Sequence, residues 1–234
     1  VQMNDLIFSL NSLLAHEPRM YAGGNMLMYY TPGNGWDHVS ADVFVTFDVA
    51  RGIRECWKTW EEGGRFADVV FAISSPSTIK EDLGKKMRLY AQLNVHEYYL
   101  YDPQRNNQPP LAAYRLVDGQ YKLMARLVGV EGYRSDMLGT EVRVIGPWLR
   151  VIDPLSGAPV LIPAELEAAR DQAESARDQA QAARVAAEAR AADEARARRE
   201  VENAKDAADA ALRQALEEVT RLRSALERQS ERGS

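Results

Sequence analysis

The sequence predicts a mixed α/β domain followed by one long helix. Three observations lead to this prediction. Residues 66–103 alternate a strand-like apolar run, a polar turn, an amphipathic stretch and a second β-rich run. Residues 41–49 form another apolar run, and short strand-like stretches continue after residue 103. From Glu165 onward the chain is mostly Ala, Arg, Glu, Asp and Gln, with no Pro or Gly before Gly233. We place the domains at 1–163 and 164–234.

Composition limits the classes of function. The chain has 234 residues and a net charge of −5, so nucleic-acid binding would have to come from a local basic patch. A single cysteine, Cys56, excludes an internal disulfide and a cysteine-rich zinc site. Residues 1–14 contain no long apolar run, so we expect neither a signal peptide nor a membrane span. These features predict a cytoplasmic protein with no membrane contact.

The N-terminal third is predicted to supply one helix and the first strands. Leucines at helical spacing predict a helix over 5–16. Residues 20–30 are strand-like on both sides of Gly23-Gly24-Asn25, which predicts a hairpin, and 32–37 form a loop. Apolar residues at both parities in 41–49 predict a central strand that is buried on both faces.

The segment 66–103 is the expected centre of the domain. Residues 69–73 predict a buried strand, and Ser74 to Ser77 end it. Thr78 or Ser77 can cap a helix, Glu81 would complete a capping box with Thr78, and the helix should end near Asn94. Residues 96–101 then form a second strand. Within the helix, Asp82, Lys86 and Tyr90 fall on one stripe at four-residue spacing.

Further strands are predicted at 112–116, 121–125 and 141–145, and Asp118-Gly119 is a strong hairpin signal. Strands on both sides of a crossover helix indicate a mixed sheet. The fold class is therefore α/β with a mixed-sheet core.

The region 165–232 is predicted to be a coiled-coil helix that pairs with a second copy, as a homodimer, or with a partner protein. A four-residue step from Ala187 to Ala191 joins two seams as a stutter. A lone charged helix held by pairs such as Glu217-Arg221 is the alternative. The seam residues are Ala169, Ala173, Ala176, Ala180, Ala183, Ala187, then Val201, Lys205, Ala208, Leu212, Ala215, Val219, Leu222, Leu226.

Two strand carboxylates and a helix lysine are the candidate chemical groups. Metal-dependent phosphodiester cleavage needs oxygen ligands for a hard cation and a positive charge near the phosphate. Asp42 and Asp68 each open a predicted strand, and Lys86 projects from the adjacent helix. The alternative is that both aspartates are ordinary strand-entry residues and that Lys86 is solvated. The scattered histidines have no metal-ligand spacing.

A basic cluster on the same helix is the best local site for phosphates. Lys80, Lys85, Lys86 and Arg88 lie within nine residues. Such clusters are also common on solvated helix faces, so both interpretations stay open.

The segments ADVFVTF, ADVVFAISSPST and EDLGKKMRLYAQLNVHEYYLYDP closely resemble the Uma family of restriction endonucleases, a bacterial branch of the PD-(D/E)XK nuclease superfamily. The resemblance covers roughly residues 6–162. It implies a restriction-endonuclease-like core, a DNA substrate and a Mg²⁺ (or Mn²⁺) cofactor. By position, it assigns Asp42 and Asp68 as metal-binding carboxylates and Lys86 as the helix lysine.

The chain departs from the family pattern at position 72. The family usually has Glu four residues after the Asp68 position, and this chain has Ala72. Alanine cannot ligate a metal or orient water, so the resemblance assigns a catalytic position that lacks its functional group. The residue was either introduced to disable the enzyme or reflects natural loss of cleavage. We therefore expect weakened metal binding and inefficient cleavage.

Two functional hypotheses follow. In the first, the chain is a Mg²⁺-dependent DNA endonuclease, impaired at Ala72, that binds phosphates through Lys80, Lys85 and Arg88. Dimerisation through the long helix would let two sites address two DNA strands. In the second, the chain is a catalytically silent nucleic-acid-binding or assembly subunit that works through its coiled coil.

Overall fold

A computed structural model describes residues 2–106 and 109–231, with side chains described up to residue 223. The chain divides into two compact units, residues 1–167 and 168–234. The elements are α1 (Gln2–Leu13), β1 (Met20–Gly23), β2 (Met26–Tyr29), β3 (His38–Ala41), β4 (Val43–Phe47), β5 (Trp57–Lys58), β6 (Val69–Ile73), α2 (Ile79–Glu81, Asp82–Lys86 and Met87–Gln92 in succession), β7 (Glu97–Tyr101), β8 (Leu111–Val117), β9 (Gln120–Leu123), β10 (Gly132–Ser135), β11 (Thr140–Ile145), β12 (Trp148–Val151) and α3 (Pro163–Glu231).

The main sheet has six strands in the order β1-β4-β6-β7-β8-β9. Only β6 and β7, which α2 connects, run parallel; the other neighbours are antiparallel. Two three-stranded sheets, β3-β2-β5 and β10-β11-β12, flank it. The predicted mixed α/β fold with a long C-terminal helix is confirmed.

Each face of the main sheet carries its own apolar core. Leucines of α1, including Leu6 and Leu10, pack with Val43 and Phe71 on one face. On the other face, Tyr90 of α2 packs with residues such as Phe44, Val70 and Ala72. Alternate residues of β4 and β6 thus belong to opposite cores, which explains why β6 is apolar at every position and β4 at every position except the buried Thr46.

The predicted hairpin over 20–30 is wrong. Strand β1 pairs with β4 in the main sheet, whereas β2 pairs with β3 and β5 in a smaller sheet. The chain changes sheets at Gly24, which lies against the backbone of Asp42, and the Asn25 amide donates to the Ala41 and Asp42 carbonyls. A side chain at position 24 would overlap the Asp42 carbonyl oxygen, so the glycine serves a close crossing rather than a hairpin turn.

The capping box at the start of α2 is also absent. The Thr78 hydroxyl makes no cap bond to the helix; it accepts a hydrogen bond from the Ser75 amide at 2.9 Å. The turn residues therefore bond to one another before the helix begins. At the other end, Asn94 adopts a left-handed conformation with φ 57°, as its predicted position at the helix end requires.

Several other boundaries are as predicted. Strand β6 covers Val69–Ile73, and Asp118-Gly119 joins β8 to β9 with positive φ at both residues. Strands β3, β10 and β12, of four residues each, and the two-residue β5 are not predicted by any sequence pattern.

The long helix α3 begins at Pro163. Its first turn belongs to the globular unit, where Glu165 accepts two hydrogen bonds from the guanidinium of Arg150. Beyond that turn, the side chains described along α3 are exposed. In the described part of the chain, no helix combines the length and apolarity of a bilayer span. The side chain of Leu226 and all of Arg232, named in the seam and helix predictions, lie outside the described part.

Candidate active site

Asp42 and Ala72 lie opposite each other on neighbouring strands. Strands β4 and β6 are antiparallel with Val43 paired to Phe71, so the next pair outward is Asp42 with Ala72. Oδ2 of Asp42 accepts a hydrogen bond from the Ile73 amide at 2.7 Å. Both positions share parity with Phe44 and Val70, whose side chains face α2. Position 72 therefore faces the helix beside the Asp42 carboxylate.

Helix α2 brings a second carboxylate and a lysine to this end of the sheet. Its middle turn, Asp82–Lys86, is a π-helix, a feature often found at functional sites. Oδ1 of Asp82 accepts a hydrogen bond from Nζ of Lys86 at 3.0 Å, and its Oδ2 accepts one from the Ser74 hydroxyl at 2.9 Å. Asp82 is 2% exposed, so this buried carboxylate fixes the position of the lysine.

The electrostatics of Asp42 link the strand and helix groups. Burial raises the pKa of Asp42 above its usual value, while the Ile73 amide and the Lys86 ammonium act to lower it and the Asp82 carboxylate adds to the rise. Burial raises the pKa of the Tyr90 hydroxyl, and the carboxylates of Asp42, Asp82 and Glu81 add to the rise. Asp42, Asp82, Lys86 and Tyr90 thus form one electrostatic cluster, on the face of the sheet where Ala72 packs with Tyr90.

The expected convergence of Asp42 and Asp68 is not found. Asp68 precedes β6, four residues before Ala72, which corresponds to ~13 Å along an extended strand. Its Oδ2 accepts a hydrogen bond from the Phe47 amide at 2.7 Å, and its Oδ1 lies 3.3 Å from Nδ1 of His96. Because β4 and β6 are antiparallel, the start of one strand adjoins the end of the other. Two strand-opening aspartates therefore lie at opposite ends of the pair.

The remaining predicted residues lie on the outer side of α2. Lys80, Lys85 and Arg88 are exposed. Lys85 and Lys86 also line a cleft of about 570 Å³ between α2 and the small sheet β3-β2-β5. Other walls of this cleft include Tyr30, Trp36, Asp37 and Glu81, none of which was among the site residues predicted from the sequence.

Glu97 is not available to replace the missing carboxylate. It pairs with Val69, whose side chain belongs to the opposite core. There the buried carboxylate accepts hydrogen bonds from the hydroxyls of Tyr99 and Ser135 and from Arg115. Glu97 therefore joins β7 to β8 and β10 on the side of the sheet away from Asp42.

The residues present do not form a complete site for a divalent cation. Among the side chains described, those of 2–106 and 109–223, no three His, Cys, Asp or Glu are grouped so that they could hold a metal ion. The methyl side chain of Ala72 offers no oxygen. Both carboxylate oxygens of Asp82 already accept hydrogen bonds, one from Ser74 and one from Lys86. Hard cations such as Mg²⁺ need several oxygen ligands. Asp42 is the one carboxylate of this cluster left to bind the cation. The oxygen ligands present are therefore too few for Mg²⁺.

A comparison with protein-family models identifies the lineage. Residues 2–144 match the model of the Uma2 family, described as "Putative restriction endonuclease". The match covers more than half of the chain. The chain belongs to the Uma2 family. The resemblance inferred from the sequence is confirmed, and Asp42, position 72, Asp82 and Lys86 all lie inside the matched region.

One solved structure is also similar to this Uma2 family chain. It is described as a putative nuclease belonging to DUF820 from Anabaena variabilis, solved at 1.96 Å. The two share 14% sequence identity over 57% of this chain and 69% of the other, with a TM-score of 0.41. No curated protein matches the chain.

Sequence reasoning did not include Asp82 among the site residues, although the signal was present. Asp82 and Lys86 fall on one helical stripe at four-residue spacing, and that spacing places the two side chains in contact. What the sequence could not supply was the side of α2 that faces the sheet, which is set by the burial of Asp82 and Tyr90.

Proposed function

We propose that this chain has the framework of a metal-dependent DNA endonuclease in which phosphodiester hydrolysis is impaired because position 72 is alanine. Family membership supports a nuclease function. The observation that carries the proposal is the position of Ala72, which lies on the face of β6 that packs against α2 and directly precedes Ile73, whose amide donates to the Asp42 carboxylate. A glutamate at position 72 would add the carboxylate that this cluster lacks.

Each remaining group keeps a role that does not require the metal. Lys86 provides a positive charge beside the site, suited to a phosphate oxygen, and Asp82 orients it at 3.0 Å. Ser74 holds the other side of the Asp82 carboxylate, and the Ile73 amide holds Asp42. In this proposal Lys80, Lys85 and Arg88 on α2 contact the DNA backbone.

Alanine at position 72 lowers the number of carboxylates available to bind a divalent cation. Because Lys86 and Ser74 occupy both oxygens of Asp82, Asp42 is the one carboxylate of this cluster left to bind Mg²⁺ or Mn²⁺, and the ion would bind weakly. Loss of one directly acting group in a catalytic cluster typically costs several orders of magnitude in rate. The chain as given is therefore expected to cut DNA poorly or not at all.

Plasmid nicking tests this proposal. Supercoiled DNA is incubated with Mg²⁺ or Mn²⁺ and the chain as given, Ala72→Glu, or Ala72→Glu combined with Lys86→Ala. We expect Ala72→Glu to increase nicking at least ~100-fold and Lys86→Ala to remove the gain. Absence of nicking by Ala72→Glu, in a variant that is folded and binds both DNA and Mn²⁺, would contradict the proposal.

The second candidate function is a catalytically silent subunit that works through α3. The apolar seam supports it, because Val201, Leu212, Val219 and Leu222 are each more than half exposed in the single chain. Such a stripe at heptad spacing is the surface that a second helix covers. This candidate is favoured if no variant cuts DNA but the chain binds DNA with steep salt dependence.

We further propose that the α3 seam pairs two copies of this chain in parallel. With Val219 at an a position, Glu218 occupies g and Arg223 occupies the following e. In a parallel, in-register dimer these opposite charges meet across the interface, which favours that orientation. The alanine-rich first half buries less surface, so the second half would supply most of the affinity.

A further inference from the structure

We propose that the cleft beside Lys86 is a subsite for one unpaired nucleotide, with Trp36 stacking on its base and Lys85 contacting its phosphate. This inference rests on the proposed nuclease function and names the form of nucleic acid that the site takes, a strand with an unpaired base. It starts from Trp36, whose side chain lies on a wall of this cleft and is 89% exposed.

The loop that carries Trp36 is held in place by its own hydrogen bonds. The Trp36 amide donates to Oδ1 of Asn34 at 3.1 Å, and the Tyr30 amide donates to the Asp37 carbonyl at 3.1 Å. Nδ1 of His38 lies 3.0 Å from the Gly35 carbonyl oxygen. The indole is thus presented to solvent by an ordered turn. Because the backbone of this turn is already ordered, only the indole side chain would lose conformational freedom when a base stacks on it.

The size of the cleft favours one nucleotide over a duplex. Its volume of about 570 Å³ is in the range of small-molecule pockets. A B-form duplex presents its bases only as edges in the grooves, so the face of a paired base is not accessible to an indole. Base–aromatic stacking is the usual way in which proteins bind unpaired nucleotides.

The charges in the cleft suit the two ends of a nucleotide. Lys85 is exposed and available to a phosphate, while Lys86 connects the cleft to the Asp82 pair and hence to position 72. Asp37 and Glu81 also line the cleft. Their carboxylates can accept hydrogen bonds from the amino groups of cytosine, adenine or guanine, as acidic side chains do in base recognition.

Fluorescence anisotropy tests the subsite without any cleavage. The full chain is titrated against a labelled six-nucleotide single-stranded DNA of mixed sequence and against a blunt 20-base-pair duplex, in EDTA. We expect Trp36→Ala to weaken single-strand binding roughly 5- to 100-fold and Trp36→Phe to retain most of it. Trp60→Ala is the matched control, because Trp60 is 40% exposed but does not line the cleft.

Salt dependence and the single-strand-to-duplex comparison test the two contacts separately. Lys85→Ala should reduce the salt dependence of single-strand binding by about one phosphate contact. Equal losses for Trp36→Ala and Trp60→Ala, or equal losses on single strand and duplex, would overturn the inference. Tight duplex binding with no single-strand binding would also overturn it. Because these assays contain no metal, failure of Ala72→Glu to cut DNA leaves the result unaffected, and the two proposals fail separately.

Discussion

At position 72 the side chain ends at the β-carbon, directly across from the Asp42 carboxylate in the next strand. This position is 3% exposed and faces α2, so a longer side chain there would extend towards Asp82 and Lys86. The proposed loss of activity is therefore a local change. The strand register, the helix and the lysine that would surround a glutamate are all present.

The buried state of Asp42 predicts a pH-dependent cost in stability. Its pKa in the folded chain is above the usual 3.8, mainly because of burial. The folded state therefore holds this proton more tightly than the unfolded chain, and ionisation destabilises the fold as the pH rises above 3.8. In urea denaturation we expect Asp42→Asn to be more stable than the parent at pH 7 and the difference to shrink towards pH 4.

Asp153 provides a control of opposite sign. The pKa of its carboxyl is lowered, first by the Leu155 amide and then by the Ser156 hydroxyl. The ionised Asp153 carboxylate therefore stabilises the fold above pH 3.8, and this stabilisation is lost as the pH falls. Asp153→Asn should therefore be less stable than the parent at pH 7, and this difference should become smaller towards pH 4. If Asp42→Asn showed the same direction as Asp153→Asn, the account of Asp42 as a buried, costly carboxylate would be wrong.

At the scale of the elements, the site depends on the crossing of the β1–β2 connection over the start of β4. Gly24 lies against the Asp42 carbonyl, and Asn25 donates to the same backbone. Gly24→Ala would push this segment away, and overpacking of this kind costs about 1–3 kcal/mol. We expect a lower unfolding midpoint and, in the Ala72→Glu background, loss of nicking. Gly35→Ala is the matched control, because open space surrounds Gly35 and its φ is not positive. Equal effects of the two substitutions would contradict this role of the crossing.

The main strands could be predicted because their pattern is local. Residues 69–73 are apolar at every position since both faces of β6 are covered, and the Ser-Pro turn after them is unambiguous. The hairpin at Asp118-Gly119 was equally readable from two residues. Such features need only a few neighbouring positions to be recognised.

The predictions that were wrong concern features that depend on pairing between segments distant in the sequence. Strands β1 and β2 look like a hairpin, but their partners lie in β4 and β3. The sequence pattern predicts that Asp68 and Asp42 converge, because each precedes a strand. The two lie apart because those strands are antiparallel. The Trp36 cleft joins the 31–38 loop to α2, and no sequence pattern indicates that contact. Pairing of this kind is a tertiary property.

For the whole molecule, the claim that α3 pairs two copies predicts a concentration-dependent dimer. We expect light scattering of the full chain to give twice the monomer mass, and Leu212→Lys combined with Leu222→Lys to give the monomer mass. Gln214→Lys, at an outer c position next to the seam, is the control and should stay dimeric. A monomer at every concentration for the unsubstituted chain would favour the lone charged helix.

We propose that a metal site in this chain would consist of Asp42 and a glutamate restored at position 72, at the end of β6, and that Asp68 would lie outside it. Calorimetric titration of Mn²⁺ into the Ala72→Glu variant tests this claim most directly. We predict one binding site, at least ~10-fold tighter than in the chain as given, which is lost with Asp42→Asn and retained with Asp68→Asn. Retention in Asp42→Asn together with loss in Asp68→Asn would contradict the account.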